Sequence, residues 1–326
     1  MQPFSAQFIP LGGAQNLLDE QHVLALIEFV GMGDENTSDP RRISVGLPQL
    51  GTSPLAEVWT STTPVESGRR GRISYSRNDQ VLLGQLSVDE RDFADVEITT
   101  REAYKEFLPF VREMGFPHYL RIWNYIPDIN GEENGVERYK HFCVGRHACL
   151  ESFDFPEHKL PAASGVGSRS ERILIYFLAA REPGIQLENP RQVSAFHYPQ
   201  QYGPKSPAFS RAMVKDWGAS KHLYISGTAS IVGHESRHGN DVLTQLTESL
   251  RNMGTLIESA QTEYGLPIQS LAELSQVKVY IRDEQDHPAI RRHIDEQLGE
   301  KAPVIYLCGD LCRKNLLVEV EGFYAS

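Results

Sequence analysis

The sequence predicts an α+β protein built from two tandem βαβαββ units, the first degenerate and preceded by an N-terminal extension. Three observations carry this expectation. The chain has 326 residues, more than one hydrophobic core usually organises and suited to two domains of roughly 100 to 150 residues each. Its C-terminal third alternates strand-period and helix-period segments in a legible order. The same order recurs upstream in weaker form.

In chain order, the first 70 or so residues carry short strand-like runs interrupted by "GDENTSDPRR" and "SGRRGR", an extension with no assignable place in either unit. The first unit then reads as the strand "DQVLLGQLSV", the helix "TREAYKEFLPFVREMG", the strand "HYLRIWNYI", the helix "ERYKHFCVGRHACLESF", and the strands "ERILIYFLAA" and "RQVSAFHY". Just before "ERILIYFLAA", "SGVGSRS" lacks the third Gly and the Lys of a phosphate loop and reads as a flexible loop. The Pro- and Gly-rich "YPQQYGPKSP" marks a boundary, giving domains 1–198 and 199–326.

In the second unit, "HLYISGTASIVG" is β-rich. "NDVLTQLTESLRNMGTLIESAQTEYG" places Val242, Leu246, Leu250, Met253, Ile257 and Ala260 at helical spacing, with Asn240 or Asp241 as cap and Gly265 as terminator. "QVKVYIRD" alternates as a strand, "DHPAIRRHIDEQLG" has an Asp cap, an early Pro and a final Gly, and "PVIYLCG" and "NLLVEVEGFY" complete the set. Laying "RQVSAFHY" on "LVEVEGFY" sets Val193 against Glu319, so only the second copy keeps that carboxylate. That copy is expected to be catalytic and the first structural.

Composition narrows the function. A 40% hydrophobic, 23% charged chain collapses into a packed core. Its net charge of -11 argues against nucleic acid, whose binding draws on clustered Lys and Arg. No stretch approaches the roughly 20 apolar residues of a membrane span, and "MQPFSAQFIPLGG" has neither a basic start nor a sustained apolar run. A cytoplasmic protein is expected. Cys143, Cys149, Cys308 and Cys312 are too few for a disulfide framework and lack zinc-site CxxC spacing. "HESRH" at 234–238 matches H-E-x-x-H, but Gly233 and Gly239 bracket it and the helix begins later, so its imidazoles belong on a loop and no metal site is expected.

Arginine supplies a local anion-binding capacity. Arg146 lies seven residues after Tyr139 within a predicted helix, two turns along one face. Arg211 sits on a loop in "YGPKSPAFSRAM". The planar guanidinium grips a carboxylate through two parallel hydrogen bonds.

"LYISGTASIVG" with its following helix, and the terminal "LLVEVEGFY", resemble the RidA (YjgF) superfamily. "HYLRIWNYIPDIN", "YKHFCVGRHACL", "YGPKSPAFSRA" and "ISGTASIVGHESRHGNDVLTQ" are similar to the chorismatases, over roughly residues 115–326. The resemblance implies two RidA/YjgF-like domains and a cofactor-free reaction that releases pyruvate from chorismate. It implies Glu319 as catalytic acid or base, and substrate contacts at Tyr139, Arg146, Tyr198 and Arg211. A Cys seven residues before that Glu, here Cys312, accompanies the 3-hydroxybenzoate-forming subtype, and "LCGDLCRKN" is similar to the kind that also makes 4-hydroxybenzoate. Two other readings stand beside it, a hydrolytic chorismatase giving a dihydroxycyclohexadiene carboxylate and a non-catalytic RidA-type ligand-binding protein. RidA-like sites lie at subunit contacts, so either a trimer or an internally duplicated monomer fits.

Chemistry sets requirements on these residues. An ordinary carboxyl is ionised at neutral pH, so Glu319 must be desolvated, a task expected of Leu317, Val318 and Val320. Glu321, about 6.6 Å further along the strand face, is expected to leave the pocket for an interface or solvent and form a salt bridge. Cys312 is expected at the substrate ring, passing a proton and excluding water, with Arg146 and Arg211 clamping two carboxylates.

Overall fold

The computed structural model describes residues 2–32, 38–299 and 302–326. Strands β1 (Phe4–Pro10), β2 (Val23–Phe29), β3 (Arg42–Val45) and β4 (Leu55–Ser61) form a four-stranded sheet in the order β1-β4-β2-β3. The next elements are β5 (Glu66–Arg70), β6 (Ile73–Arg77), β7 (Val81–Asp89), α1 (Val96–Glu113), β8 (His118–Pro127), the short hairpin β9 (Glu132–Glu133) and β10 (Val136–Glu137), α2 (Arg138–Ser152), β11 (Ala162–Ser168) and β12 (Arg172–Ala180). They are followed by β13 (Ile185–Leu187), β14 (Ala212–Asp216), β15 (Lys221–Ala229), the hairpin β16 (Ile231–Val232) and β17 (Glu235–Ser236), α3 (Val242–Tyr264), β18 (Gln276–Ile281), α4 (His287–Leu298), β19 (Val304–Cys308), β20 (Asp310–Leu311) and β21 (Val318–Ala325). A seven-stranded sheet has the order β20-β11-β8-β12-β7-β6-β5, and a six-stranded sheet the order β13-β14-β15-β21-β18-β19.

The expected duplication is visible in the pairing. β7-α1-β8-α2-β11-β12 and β15-α3-β18-α4-β19-β21 run in the same order. In each, the last strand pairs antiparallel with the first and second (β12 with β7 and β8, β21 with β15 and β18), while the second and third pair in parallel (β8 with β11, β18 with β19). The structural partner of β21 is therefore β12. "RQVSAFHY", read as that strand, contains an isolated bridge from Gln192 to Gly233 and a 3-10 turn at Ala195–His197, and Val193 is not the counterpart of Glu319. Aligning the terminal alanines Ala180 and Ala325 sets Leu174 and Tyr176 against Glu319 and Glu321.

"SGVGSRS", read as a loop, largely lies within β11. Its glycines hid the strand because they offer none of the β-branched surface that marks one. The structure needs one of them small: a Cβ at Gly167 would lie 2.6 Å from Ile129 Cγ2.

Helices lie outside and sheets face inward. α1 and α2 cover the seven-stranded sheet through Ala103, Tyr104, Phe107, Val111 and Phe142. α3 and α4 cover the six-stranded sheet through Leu246, Met253, Ile257, Ile290 and Ile294. Asp241 caps α3 by accepting from the Thr244 amide, and Gly265 ends it in a left-handed conformation, φ 61°. A third core joins all three sheets through Trp59, Trp123, Tyr176, Tyr224 and Phe323, so the unplaced N-terminal segment forms the third wall of the protein's centre. No described helix is long and apolar enough to cross a membrane.

Candidate active site

A cavity opens between the two repeats. The first contributes Tyr139 and Arg146 from α2 and Ser164 from β11, the second Gly227 from β15 and Glu319 from β21, and the connecting segments Tyr198, Arg211, Cys312 and Arg313. All six residues singled out from sequence (Glu319, Cys312, Tyr139, Arg146, Tyr198 and Arg211) line this one space. The first repeat is thus half of its wall, which corrects the expectation that it is purely structural.

Glu319 enters the cavity because alternation along β21 puts Glu319, Glu321 and Phe323 toward the centre, and Val318 and Val320 toward α3 and α4. The two valines therefore do not line the site, contrary to expectation. Opposite Glu319, the pairing of β15 with β21 shifts register between Ile225 and Thr228. This bulge sets Gly227 against the carboxyl: a Cβ there would lie 2.0 Å from Glu319 Oε1. Only glycine leaves that volume free.

Glu319 is 4% exposed and has no hydrogen-bond or ion-pair partner among the described residues. Burial, reinforced by the charge of Glu321, outweighs Arg121 and Arg211 and raises its pKa to about 8. The group keeps its proton at neutral pH. Glu321 is equally buried, yet Arg121 and Lys278, with hydrogen bonds from Ser164 and Trp123, overcome burial and hold it below the usual carboxylate range. Its ion pair with Arg121 spans 2.7 Å. The expected salt bridge exists. The expected exposure does not, because the N-terminal sheet closes over that position. Two carboxyls on one strand face thus occupy opposite protonation states, the pattern that separates acid from base.

The cationic side is equally defined. Arg146, 4% exposed, has no hydrogen-bond or ion-pair partner among the described residues, its Nε is buried unpaired, and its guanidinium lies 5.4 Å from the Tyr104 ring centroid. Arg211 donates from Nη2 to the Val193 carbonyl at 2.8 Å and to Tyr198 Oη at 2.7 Å, leaving Nε unpaired. Arg313, missed in the sequence, donates to the His234 carbonyl and Ser236 Oγ, each at 3.0 Å, and stacks 4.0 Å from the Tyr202 ring centroid. Among the described residues none of these three buried or half-buried guanidinium groups has a carboxylate ion-pair partner, and an uncompensated buried charge is costly until a counter-ion arrives. Cys312 borders the same space, and burial, then the Glu319 charge, push its thiol up to about 12. Burial likewise raises the Tyr139 hydroxyl. Both stay protonated.

The "HESRH" imidazoles diverge, as their loop setting suggested. His234 Nδ1 meets Tyr202 Oη at 3.1 Å, and His238 Nε2 meets Glu248 at 3.5 Å. Among the described residues no three His, Cys, Asp or Glu side chains converge as metal ligands.

Known proteins resemble this chain in sequence and fold. A family model described as "Chorismatase FkbO/Hyg5-like, N-terminal" matches residues 57–179. A 3-hydroxybenzoate synthase of Streptomyces hygroscopicus is 33% identical over 93% of this chain and 91% of its own. A chorismatase of the same organism is 35% identical over 96% of this chain and 92% of its own. The chain belongs to the chorismatase family. A chorismatase crystal structure superposes with a TM-score of 0.89 at 33% identity, covering 98% of both chains, so the family resemblance and the mixed α+β fold it implied both hold. Ser164, Gly227 and Arg313 of this chorismatase-family site escaped the sequence reading. Each is a single residue without period or spacing, brought in by the fold alone.

Proposed function

We propose that this family member is a chorismatase that converts chorismate to 3-hydroxybenzoate and pyruvate, with 4-hydroxybenzoate as a second product. One observation carries the reading: a buried carboxyl whose pKa burial raises to about 8 shares a cavity with three arginines that have no carboxylate ion-pair partner among the described residues. Chorismate is a dianion with an enolpyruvyl ether on a ring one elimination short of aromatic. Arg146, Arg211 and Arg313 complement its carboxylates, and supply the local field that a chain of net charge -11 otherwise lacks.

The proton balance suits a single group. Forming hydroxybenzoate and pyruvate from chorismate adds one proton to the enolpyruvyl methylene carbon and removes one from the ring, with no water consumed. Glu319 donates the first as general acid and regains the second as base, which closes the cycle without a cofactor. A positioned acid of this kind is worth about 10² to 10⁴ in rate. Tyr139 and Tyr198 border the substrate, Tyr139 as a neutral hydroxyl because burial raises its pKa. Cys312, held as a thiol, fills the space beside the ring and keeps water from it.

The test is incubation of the full-length protein with chorismate, following pyruvate through a coupled dehydrogenase and identifying the aromatic products by mass. Pyruvate with hydroxybenzoates is expected. A hydrated cyclohexadiene product would reassign the protein to the hydrolytic type, and thermal stabilisation by chorismate without any product would make it a binding protein.

A further inference from the structure

Behind Glu319 lies a second constellation that the reaction itself does not touch. Glu57 on β4, Arg121 on β8, and Lys278 and Glu321 on β18 and β21 meet where the three sheets converge, each at most 4% exposed. Lys278 Nζ lies 2.7 Å from Glu57 Oε2 and 3.3 Å from Glu321 Oε1. Arg121 Nη2 lies 2.7 Å from Glu321 Oε2 and 2.6 Å from Ser164 Oγ. The Trp59 and Trp123 indoles donate to Glu57 and Glu321, each at 2.8 Å. Ser164 Oγ donates to Glu321 at 2.6 Å and accepts the Gly227 amide at 3.0 Å, which brings the network to the residue against which the Glu319 carboxyl rests.

Two acids and two bases leave the quartet neutral, and its order matters. Glu321 is the member on the Glu319 face of β21. Lys278 stands behind it, and Glu57 from the N-terminal sheet offsets Lys278. Without Glu57 the quartet would carry a net positive charge close to the catalytic carboxyl, and a nearby positive charge favours ionisation.

We propose that the N-terminal sheet takes part in catalysis through Glu57, a positioning residue whose charge offsets Lys278, so that the quartet beside Glu319 stays neutral and sets no net positive charge against the acid. The proposal rests on the functional reading above. The other charged or titratable groups facing Glu319 are Tyr198 and Arg211 from the connecting segment, Tyr139 and Arg146 from α2, and Cys312 and Arg313 before β21. None of them is altered in the test.

The experiment compares full-length wild type, Glu57→Gln and Glu57→Gln/Lys278→Met. The carboxyl titration of Glu319 is followed by ¹³C NMR of glutamate-labelled protein, alongside the basic limb of kcat/KM for pyruvate release. Glu57→Gln is expected to move both midpoints down by roughly 0.5 to 1 on the pH scale, as an unbalanced buried charge nearby does. The double variant, neutral again, is expected to return them. Unmoved midpoints in Glu57→Gln, or an equal displacement in both variants, overturn the proposal, since a merely structural role would not be rescued by removing a second charge. Should Glu57→Gln not fold, Glu321→Gln with and without Lys278→Met makes the same comparison one residue nearer. Because the NMR titration needs no substrate, a protein inactive on chorismate would refute the function while leaving the network independently decided.

Discussion

The carboxyl of Glu319 occupies the volume in which Gly227 would otherwise carry a side chain: an ideal Cβ there falls 2.0 Å from Glu319 Oε1 and 2.9 Å from Ser164 Oγ. Gly227 is therefore a determinant of where the acid stands. Gly227→Ala is expected to turn the carboxyl away from its seat and lower kcat by about 10²-fold or more, as misplacing a catalytic group by an ångström does. The fold should survive, since the clash falls on side chains at a cavity. Circular dichroism and thermal melting beside the pyruvate assay check this, and near-wild-type kcat would mean Glu319 works from another position.

Activity should follow the protonated form of Glu319. With its pKa at about 8, kcat/KM is expected to be flat near neutrality and to fall tenfold per pH unit above about pH 8, because that ratio reports the free enzyme's groups. Glu319→Gln should lose about 10² to 10⁴ in rate and with it this basic limb. A Gln variant with undiminished pyruvate release removes Glu319 from the reaction.

The same proton has a stability signature of opposite sign to that of a salt-bridged acid. Between the ordinary glutamate value and about pH 8 the folded chain holds a proton that the unfolded chain has released, so stability declines as pH rises through that window and levels off above it. Glu319→Gln carries no such penalty. It is expected to match wild type near pH 5 and to exceed it at pH 8 to 9 by a few kcal/mol, because each tenfold change in a protonation equilibrium is worth roughly 1.4 kcal/mol. Denaturant melts at the two pH values test this. Equal stability at both would mean that the folded state does not raise the group's pKa.

How much of this was legible in the sequence depended on period. α3 was read with its cap and terminator because Asp241, the apolar stripe and Gly265 are local signals. β2, buried at all seven positions, has no alternation to betray a face, and the N-terminal sheet went unplaced. That omission is why Glu321 was expected near an interface or solvent: the sheet carrying Glu57 and Trp59 is what buries it. Tyr139 and Arg146 could be put on one helix face, but nothing local reveals that Arg146 lacks an acidic partner, since pairing is a property of the packed whole.

Arg146 should matter for binding more than for folding. A buried guanidinium without a carboxylate is a cost to the free protein, and Arg146→Met, similar in length and apolar, is expected to leave stability unchanged or raise it. Each charge-assisted hydrogen bond lost to the substrate is worth about 1.5 to 3 kcal/mol. Per bond lost, kcat/KM for chorismate should fall by roughly 10- to 150-fold, while the melting temperature holds. Loss of both together would assign Arg146 to the core.

Cys312 tests what separates the two outcomes of the reaction. Its thiol borders the cavity beside Glu319, and with a pKa of about 12 it presents a neutral, weakly polar surface at every assay pH. Hydroxybenzoate formation consumes no water and hydrolysis consumes one, so the partition turns on whether a water can stand beside the ring when the ether breaks. Cys312→Ala removes one sulfur's volume without adding charge. Pyruvate release is expected to persist within about tenfold of wild type, because the acid is untouched, while the products shift toward the species heavier by one water. Mass analysis in ordinary and ¹⁸O-enriched water reads the partition directly. Unchanged hydroxybenzoate with no incorporated ¹⁸O would show that water is excluded by some other wall of the cavity.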